Sequence, residues 1–474
     1  MTTDRIRAGV VVRLLVALIG AWASVGVAAA DRTPTRGPLV VHSSNPRYFA
    51  DRTGKTVYLT GFHDGWELQD YAWGDKDDWR FDWSGFLDDL VEHNCNVIRL
   101  WVVEHTKLVA SDASLTDPMP YERAADGPKA NDGGFRFDLD RFNEDYFKRL
   151  RSRVADARKR GVYVIVMLFQ GWSVEDKGGR VGPWPYHAFN AANNVNGVDG
   201  DLNGDGQGTE LHTWQGSDHE ITKRQRAYVR KVIDTVNDLD NVLYEIANES
   251  GPYSTEWQYQ MIRYIKEYEK TKPMQHPVGM TSQNQGRQAW LVDSPADWIS
   301  AGSDRSLRNR YRNSPPPAEG RKVSLLDTDH IFGDKCKDHT WVWKSFLRGH
   351  NPIYMDRWSR ERKDPDRELV RRALGQTRTF ADRLDLAAAR VDSELASTGY
   401  CLAAPGKEYV VYVPSGGKVK LDLRKAEGEF SVEWFDPKTG KSQSGKAIRG
   451  GVRRTLKSAF SGDAVLCVRS IPRH

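Results

Sequence analysis

Two short segments of this chain carry side chains that could do acid–base or nucleophilic chemistry. In NVLYEIANES an apolar run ends at Asn248 and Glu249, and in VSLLDTDH another ends at Asp327 and Asp329. A short apolar run that stops at polar residues is typical of a buried strand that presents side chains at its carboxyl end. Carboxyl groups brought together in this way can act as an acid, a base or a nucleophile.

Short apolar runs alternate with helical patterns through most of the chain, which predicts an α/β fold with a parallel sheet. Eight such runs fit a (β/α)8 TIM barrel, in which the carboxyl ends of all strands meet at one mouth. Glu249 would then follow strand four, and Asp327 and Asp329 would follow strand seven. The predicted strands are 56–61, 96–101, 162–169, 242–247, 277–281, 297–300, 323–326 and 352–355.

The pattern changes beyond residue 390, where short β-rich runs are separated by Gly and Pro turns. This predicts a barrel domain over residues 31–390 and a small C-terminal β-sandwich over residues 391–474. Cys401 and Cys467 both lie in the β-sandwich. They could form a disulfide in an oxidising compartment or remain free buried thiols.

The first thirty residues have the pattern of a cleaved secretory signal peptide. Arg5 and Arg7 precede an apolar run, and small residues lead to a cleavage site after Ala30. We therefore expect a secreted or periplasmic protein. The formal net charge of +5 over 474 residues is small, and basic and acidic residues are interleaved, so the composition indicates neither a nucleic-acid partner nor a membrane partner after cleavage.

Aromatic and polar side chains follow the other predicted strands, as a carbohydrate pocket needs. Aromatic faces can stack on sugar rings, and polar groups can bind sugar hydroxyls. The candidates for substrate binding are Asn248, Arg99, His63, Trp66, Trp172, His330 and Trp358. The mouth would also contain Asp64, Glu104, His105, Gln170 and Asp356.

A fourth strand that ends in Asn-Glu resembles the glycoside hydrolases of clan A. The resemblance implies that Glu249 is the general acid/base and that the nucleophile lies at the end of strand seven. The clan usually has Glu there, whereas this chain offers Asp327 or Asp329. Asp327 is slightly favoured, because it directly follows the apolar run. Arg99 matches the clan's arginine, although a buried structural ion pair is the alternative for it.

For this reaction Glu249 would have to be protonated while the Asp after strand seven is ionised. Burial among aromatic side chains would raise the pKa of Glu249, while Arg99 would keep the Asp ionised. Carboxyl groups about 5 to 5.5 Å apart retain the configuration of the sugar, and a wider gap inverts it. Retention is the expectation, and the shorter Asp side chain leaves inversion open.

Longer stretches narrow the resemblance. NPRYFADRTGKTVYLTG, HAFNAANNVNG and DTDHIFG resemble the apiosidase-like barrel enzymes, which implies a polysaccharide or oligosaccharide substrate. STGYCLAAPGKEYVVYVPSGG, VEWFDPKTG and SGDAVLCV resemble the collagen-binding domain described for a collagenase. The chain has no HExxH motif, so nothing in it resembles a metalloprotease.

A long insertion between strands three and four contains a calcium-loop pattern. Asp199, Asp201, Asn203 and Glu210 occupy ligand positions of the D-x-[DN]-x-[DN]-G-x5-E motif, and Asp205 offers an alternative register. We predict a structural calcium ion here and no organic cofactor. A solvated acidic turn is the alternative, because the flanks lack the helices of an EF-hand.

Two other classes of function fit the same residues. The chain could be a non-catalytic carbohydrate- or matrix-binding protein, in which substitution of Glu249 would leave binding intact. It could instead be a metal-dependent hydrolase that uses a carboxylate and imidazole cluster, which chelation would inactivate. The members of that cluster would be His63, Asp64, Asp327, Asp329 and His330.

Overall fold

The structure is a computed structural model that describes residues 34–71, 80–112, 115–177 and 181–472. The predicted signal peptide, residues 1–30, lies outside the described residues. Within those ranges no helix combines the length and the apolar character that crossing a membrane requires.

The strands up to residue 355 form a small N-terminal sheet, the barrel and an insertion hairpin. They are β1 (Val40–Val41), β2 (Phe49–Ala50), β3 (Thr56–Val57), β4 (Gly61–His63), β5 (Val97–Leu100), β6 (Tyr121–Arg123), β7 (Phe137–Phe142), β8 (Tyr163–Gln170), β9 (Val242–Asn248), β10 (Val278–Thr281), β11 (Trp298–Ser300), β12 (Val323–Asp327) and β13 (Asn351–Met355).

The barrel is a parallel sheet in the order β4-β13-β12-β11-β10-β9-β8-β5. Its two end strands meet, since the Asn96 N–H donates to the Thr60 carbonyl at 2.9 Å. Gly61 permits this approach, because the Val97 carbonyl oxygen lies 1.9 Å from where a Cβ of residue 61 would be. The barrel is therefore almost closed, and the predicted (β/α)8 fold is confirmed.

Amphipathic helices cover the outside of the barrel. In α2 the side chain of Asn143 accepts the Asp145 N–H, and Tyr146, Leu150 and Val154 lie on the buried face at helical spacing. Burial of each such side chain contributes about 1.5–3 kcal/mol. The helices are α1 (Trp83–Glu92), α2 (Glu144–Lys159), α3 (Glu220–Val236), α4 (Thr255–Glu269), α5 (Gln288–Val292), α6 (Arg308–Asn313), α7 (Asp329–Phe332), α8 (His339–Leu347), α9 (Trp358–Glu361) and α10 (Pro365–Arg383).

The N-terminal sheet β1–β3 packs against the amino ends of the barrel strands. Leu39 and Phe49 belong to one buried apolar cluster with Trp298 and Leu325 of the barrel. The segment predicted as strand one is thereby divided. Residues 56–57 pair antiparallel with β2, and the barrel strand begins only at Gly61.

The C-terminal region consists of two antiparallel sheets, as predicted. The larger has the order β14-β15-β16-β22-β18-β19, with β20 beside β18, and β17 pairs with β21. The strands are β14 (Arg390–Val391), β15 (Cys401–Ala404), β16 (Glu408–Val413), β17 (Lys418–Asp422), β18 (Glu429–Phe435), β19 (Ser442–Ser444), β20 (Ile448–Arg449), β21 (Arg453–Lys457) and β22 (Ala464–Ser470).

One face of the larger sheet packs on the barrel helices α8 and α10. The Trp343 ring stacks on Tyr412 with centroids 6.1 Å apart and also contacts Phe380 and Phe435. Cys467 belongs to the apolar cluster on this side, whereas Cys401 belongs to the cluster between the two sheets. The two thiols therefore lie on opposite faces of the sheet and are free, so they form no disulfide in this structure.

We predict that Trp343→Ala lowers the free energy of unfolding by about 3–5 kcal/mol, because the ring is fully buried where the two domains meet. Urea denaturation followed by circular dichroism measures the change. Trp343→Phe is the control and should cost less than half as much. A loss below about 1 kcal/mol for the alanine variant would contradict this role.

Candidate active site

A pocket of about 250 Å³ opens at the carboxyl ends of the barrel strands. Five residues predicted for catalysis or binding line it: Trp66, Trp172, Asn248, Glu249 and Asp329. The remaining lining residues are Asp64, Gly65, Trp101, Asp334, Met355, Asp356, Arg357 and Arg360. The pocket therefore has several carboxyl groups and three tryptophans in its wall.

Arg99, on β5, organises the polar side chains beneath this pocket. Its Nε and Nη2 donate to both carboxylate oxygens of Glu245, at 2.6 and 2.5 Å. Nη2 also donates to Asn248 Oδ1 at 2.7 Å, and Nη1 donates to Asp327 Oδ2 at 3.2 Å and to Asp329 Oδ2 at 2.9 Å. All five N–H groups of the guanidinium are therefore used. The residue is 1% exposed and does not line the pocket.

Asp327 and Asp329 have different environments although they are two residues apart. Asp327 ends β12, and its Oδ1 accepts the Asp329 N–H at 2.9 Å while its Oδ2 lies 3.0 Å from His63 Nε2. Burial opposes ionisation of Asp327, but His63 and then Arg99 outweigh it and lower its pKa well below the usual range. Asp327 is thus a buried anion behind the pocket, and Asp329, at the start of α7, lines the pocket.

Glu249 follows β9 in an unusual backbone conformation. Its φ of 48° is in the left-handed region that non-glycine residues rarely adopt. Gly171 makes room for this turn, since the Ser250 backbone nitrogen lies 2.3 Å from where a Cβ of residue 171 would be. Lys177 Nζ donates to the Glu249 backbone carbonyl at 2.6 Å and to its Oε2 at 3.2 Å.

The pKa values of Asp329 and Glu249, two carboxyl groups of the pocket, are shifted in opposite directions. Burial, followed by the charge of Glu249, raises the pKa of Asp329 to about 7. Burial also opposes ionisation of Glu249, but the charge and hydrogen bond of Lys177, together with the charges of His330 and Arg99, outweigh it and lower the pKa of Glu249. The predicted upward shift for Glu249 is therefore wrong, because the sequence pattern did not indicate that Lys177 lies beside it.

A contact between His330 and Asn248 connects helix α7 with the end of strand β9. Burial, followed by the charge of Arg99, lowers the pKa of His330 to about 3, so its ring is neutral. Its Nε2 lies 3.2 Å from Asn248 Oδ1, which can only accept, so Nε2 carries the hydrogen. The Asn248 amide donates to Gln170 Oε1 at 3.0 Å, and the same oxygen accepts the Trp172 N–H.

The other predicted binding residues lie outside the pocket wall. Arg99, His63 and His330 support it from behind. Trp358 packs on Phe81 and Phe86, donates its indole N–H to Asp89 Oδ2 at 2.6 Å and is 4% exposed. Its ring faces are covered, so the expectation that it stacks on a sugar is corrected.

Three residues important to the site were missed by the sequence analysis. Glu245 could have been found, because it is a charged residue inside an otherwise apolar strand. Trp101 was treated as the end of a strand, yet it lines the pocket with the Arg99 guanidinium 5.2 Å from its ring centroid. Lys177 gave no signal, since it lies in a polar loop far from Glu249 in sequence.

The loop predicted to bind calcium has its polar groups bonded to each other. Asp201 accepts the N–H groups of Asp205 and Gly206, and the Asn203 amide donates to Glu210 Oε1 at 2.9 Å. Asp199 accepts the Asp201 N–H. In the part of the chain that the structure describes, no group of three or more His, Cys, Asp or Glu side chains is arranged to hold a metal ion. Calcium at this loop stays a prediction.

Comparison with known proteins agrees with this architecture. Residues 104–299 match the family model described as "Domain of unknown function (DUF6298)". Residues 390–466 match the model described as "Putative collagen-binding domain of a collagenase". No curated protein matches significantly.

The barrel has the same fold as solved structures of glycoside hydrolases. One solved structure, titled "Glycoside hydrolase", superposes with a TM-score of 0.61 at 12% identity, covering 93% of this chain and 98% of that chain. A family 5 glycoside hydrolase from Bacteroides vulgatus superposes with a TM-score of 0.59 at 13% identity, covering 91% and 93%. At these identities the similarity shows the shared fold.

We predict that the stability of the protein depends on the ionisation of Asp329. Between about pH 4 and pH 7 the native state keeps a proton on Asp329 that the unfolded chain has released, so the free energy of unfolding falls as the pH rises. Asp329→Asn removes this dependence. The stability of the variant relative to wild type should therefore be about 3–4 kcal/mol more favourable at pH 8 than at pH 4.

Urea denaturation of both proteins at the two pH values measures this difference. Asp334→Asn, which changes another pocket carboxyl group, is the matched control. An equal stability difference between Asp329→Asn and wild type at both pH values would contradict the raised pKa.

Proposed function

We propose that this protein is a glycoside hydrolase in which Glu249 is the general acid/base and Asp329 is the nucleophile. The observation that carries the proposal is that both carboxyl groups line one pocket and that Asp329 is bonded to Arg99. The charge of Glu249 raises the pKa of Asp329, which supports a short distance between the two groups. The barrel shared with glycoside hydrolases supports the same class of reaction.

The reaction would proceed in two displacements. Asp329 attacks the anomeric carbon while Glu249 protonates the glycosidic oxygen, so a glycosyl ester forms and the leaving group departs as an alcohol. Glu249, now ionised, takes a proton from water, and the resulting hydroxide displaces Asp329 from the sugar. The configuration of the sugar is retained, and both carboxyl groups return to their initial states.

The proton count of the pair suits this chemistry. With the pKa of Asp329 raised to about 7 and that of Glu249 lowered, the two groups hold one proton between them at mildly acidic pH, below about pH 7. The first displacement starts from the form in which Glu249 carries that proton and Asp329, bonded to Arg99, is ionised. Arg99 therefore favours the reactive form of the nucleophile.

Asp329 is preferred to Asp327, which the sequence slightly favoured. Both oxygens of Asp327 are occupied, one by the Asp329 N–H and the other by His63 and Arg99. Its side chain is 2% exposed and is absent from the pocket wall. In this proposal Asp327 holds His63 and Arg99 in position, and only Asp329 reaches a sugar.

A polysaccharide or oligosaccharide is the proposed substrate. Trp66, Trp101 and Trp172 line the pocket, and indole faces suit the apolar faces of sugar rings. Asn248, beside Glu249, would bind a hydroxyl group of the same sugar. The N-terminal sequence pattern supports secretion or export to the periplasm, where such a substrate would be met.

We expect wild-type protein to release sugar from at least one member of a broad panel of plant and microbial polysaccharides. Glu249→Gln and Asp329→Asn should each lower kcat/KM by at least about 10³-fold, because each removes a group that stabilises the transition state. Reducing-sugar release and chromatography of the products measure the rates.

Asp334→Asn is the matched control, since Asp334 lines the same pocket but is bonded to Arg357. It should retain activity within about tenfold of wild type. Full activity in Glu249→Gln would overturn the assignment of the acid/base. Glycan binding by wild type and variants without any sugar release would favour a binding protein instead.

A further inference from the structure

Lys177 makes a direct contact with the proposed acid/base. It lies in the loop after β8, and its Nζ is 3.2 Å from Glu249 Oε2 and 2.6 Å from the Glu249 carbonyl oxygen. The Lys177 side chain is only 12% exposed. It is not among the residues of the pocket wall, so a bound sugar would not have to displace it.

A second carboxylate shares the same ammonium group. Glu175 Oε1 lies 3.4 Å from Lys177 Nζ, and Glu175 Oε2 accepts the Tyr253 hydroxyl at 2.9 Å. Glu175, Lys177 and Glu249 thus form a line of alternating charges, which we call the lysine triad. The attraction that Lys177 exerts on Glu249 is set partly by the charge of Glu175.

The remaining charges near Glu249 belong to the rest of the site. The His330 ring is neutral. The charge of Arg99 also lowers the pKa of Glu249, but its five N–H groups are directed at other acceptors. Asp329 faces Glu249 with a like charge when both are ionised. Lys177 is a cation in direct contact with Glu249, as Arg99 is for Asp329.

We propose that Lys177 is a positioning residue that acts through Glu249 and decides which carboxyl group of the Glu249–Asp329 pair carries the shared proton. This inference rests on the proposed function of that pair. Lys177 keeps Glu249 ionised, and Asp329 then carries the shared proton. If the attraction between Lys177 and the Glu249 carboxylate is weakened, the shared proton moves to Glu249. Glu249 must be protonated for the first displacement.

The pH dependence of kcat/KM tests this role, because removal of a cation raises the pKa of a nearby carboxyl group. Lys177→Met should move the acid limb of the pH profile to higher pH by about one unit, while the alkaline limb, which follows Asp329, stays nearly in place. Lys177→Arg keeps the positive charge and should leave the profile in place. A merely structural role would lower the rate without moving the profile, and an unmoved profile in Lys177→Met would overturn the proposal.

Glu175→Gln provides a test in the opposite direction. It removes the competing carboxylate and leaves the charge of Lys177 acting on Glu249 alone, so the profile should move to lower pH. Because Glu175→Gln keeps the lysine, it still tests the proposal if Lys177→Met fails to fold. A shift in the same direction as that of Lys177→Met would overturn the lysine triad.

A measurement without substrate separates this proposal from the proposed function. The Glu249 carboxyl carbon can be titrated by NMR in protein labelled with ¹³C-glutamate, and its signal is assigned by its loss in Glu249→Gln. It should titrate at a higher pH in Lys177→Met than in wild type. An unchanged titration refutes the role of Lys177, whereas full catalytic activity in Glu249→Gln refutes the proposed function alone.

Discussion

The guanidinium of Arg99 is the interaction on which the site depends. It donates five hydrogen bonds to Glu245, Asn248, Asp327 and Asp329 and so joins the ends of two barrel strands that are far apart in sequence. A buried cation is stable only when its charge is matched and its donors are used. Without Arg99, three carboxylates would face each other in the same buried volume, at a cost of about 3–5 kcal/mol. The ion network therefore stabilises the fold and places the pocket carboxyl groups together.

This network also explains why two similar aspartates have different roles. The chain turns into α7 directly after Asp327, so the Asp327 carboxylate accepts the Asp329 N–H and remains behind the pocket. Asp329 begins the helix and lines the pocket. In an extended segment, residues two apart face the same side, and both carboxyl groups would lie on one face. The start of a four-residue helix separates them instead.

The fold could be predicted from local patterns in the sequence. Each barrel strand is a short apolar run buried on both faces, and the polar residue after it lies at the mouth by the geometry of the barrel alone. Glu249 could be predicted for this reason. Glu245 could also have been predicted, because a charge inside a buried strand needs a partner such as Arg99. The start of the first barrel strand at Gly61 was harder to predict, because residues 56–57 have the same apolar character as a barrel strand.

The parts that could not be predicted are contacts between segments distant in sequence. Nothing around Lys177 indicates that its loop returns to Glu249, and that contact reverses the expected shift in the pKa of Glu249. Trp358 and Trp101 both follow strand-like runs, yet one packs under α1 and the other lines the pocket. Tertiary packing decides which tryptophan is available to a sugar, and residue type alone does not.

Covalent trapping tests the central claim most directly. The protein would be incubated with a 2-deoxy-2-fluoro glycoside of the sugar it releases, which slows the second displacement, and the labelled peptide would be located by mass spectrometry. The account predicts one glycosyl label, on Asp329, and no label in Asp329→Asn. A label on Asp327, or turnover with inverted configuration and no trapped ester, would contradict the assignment of Asp329 as nucleophile.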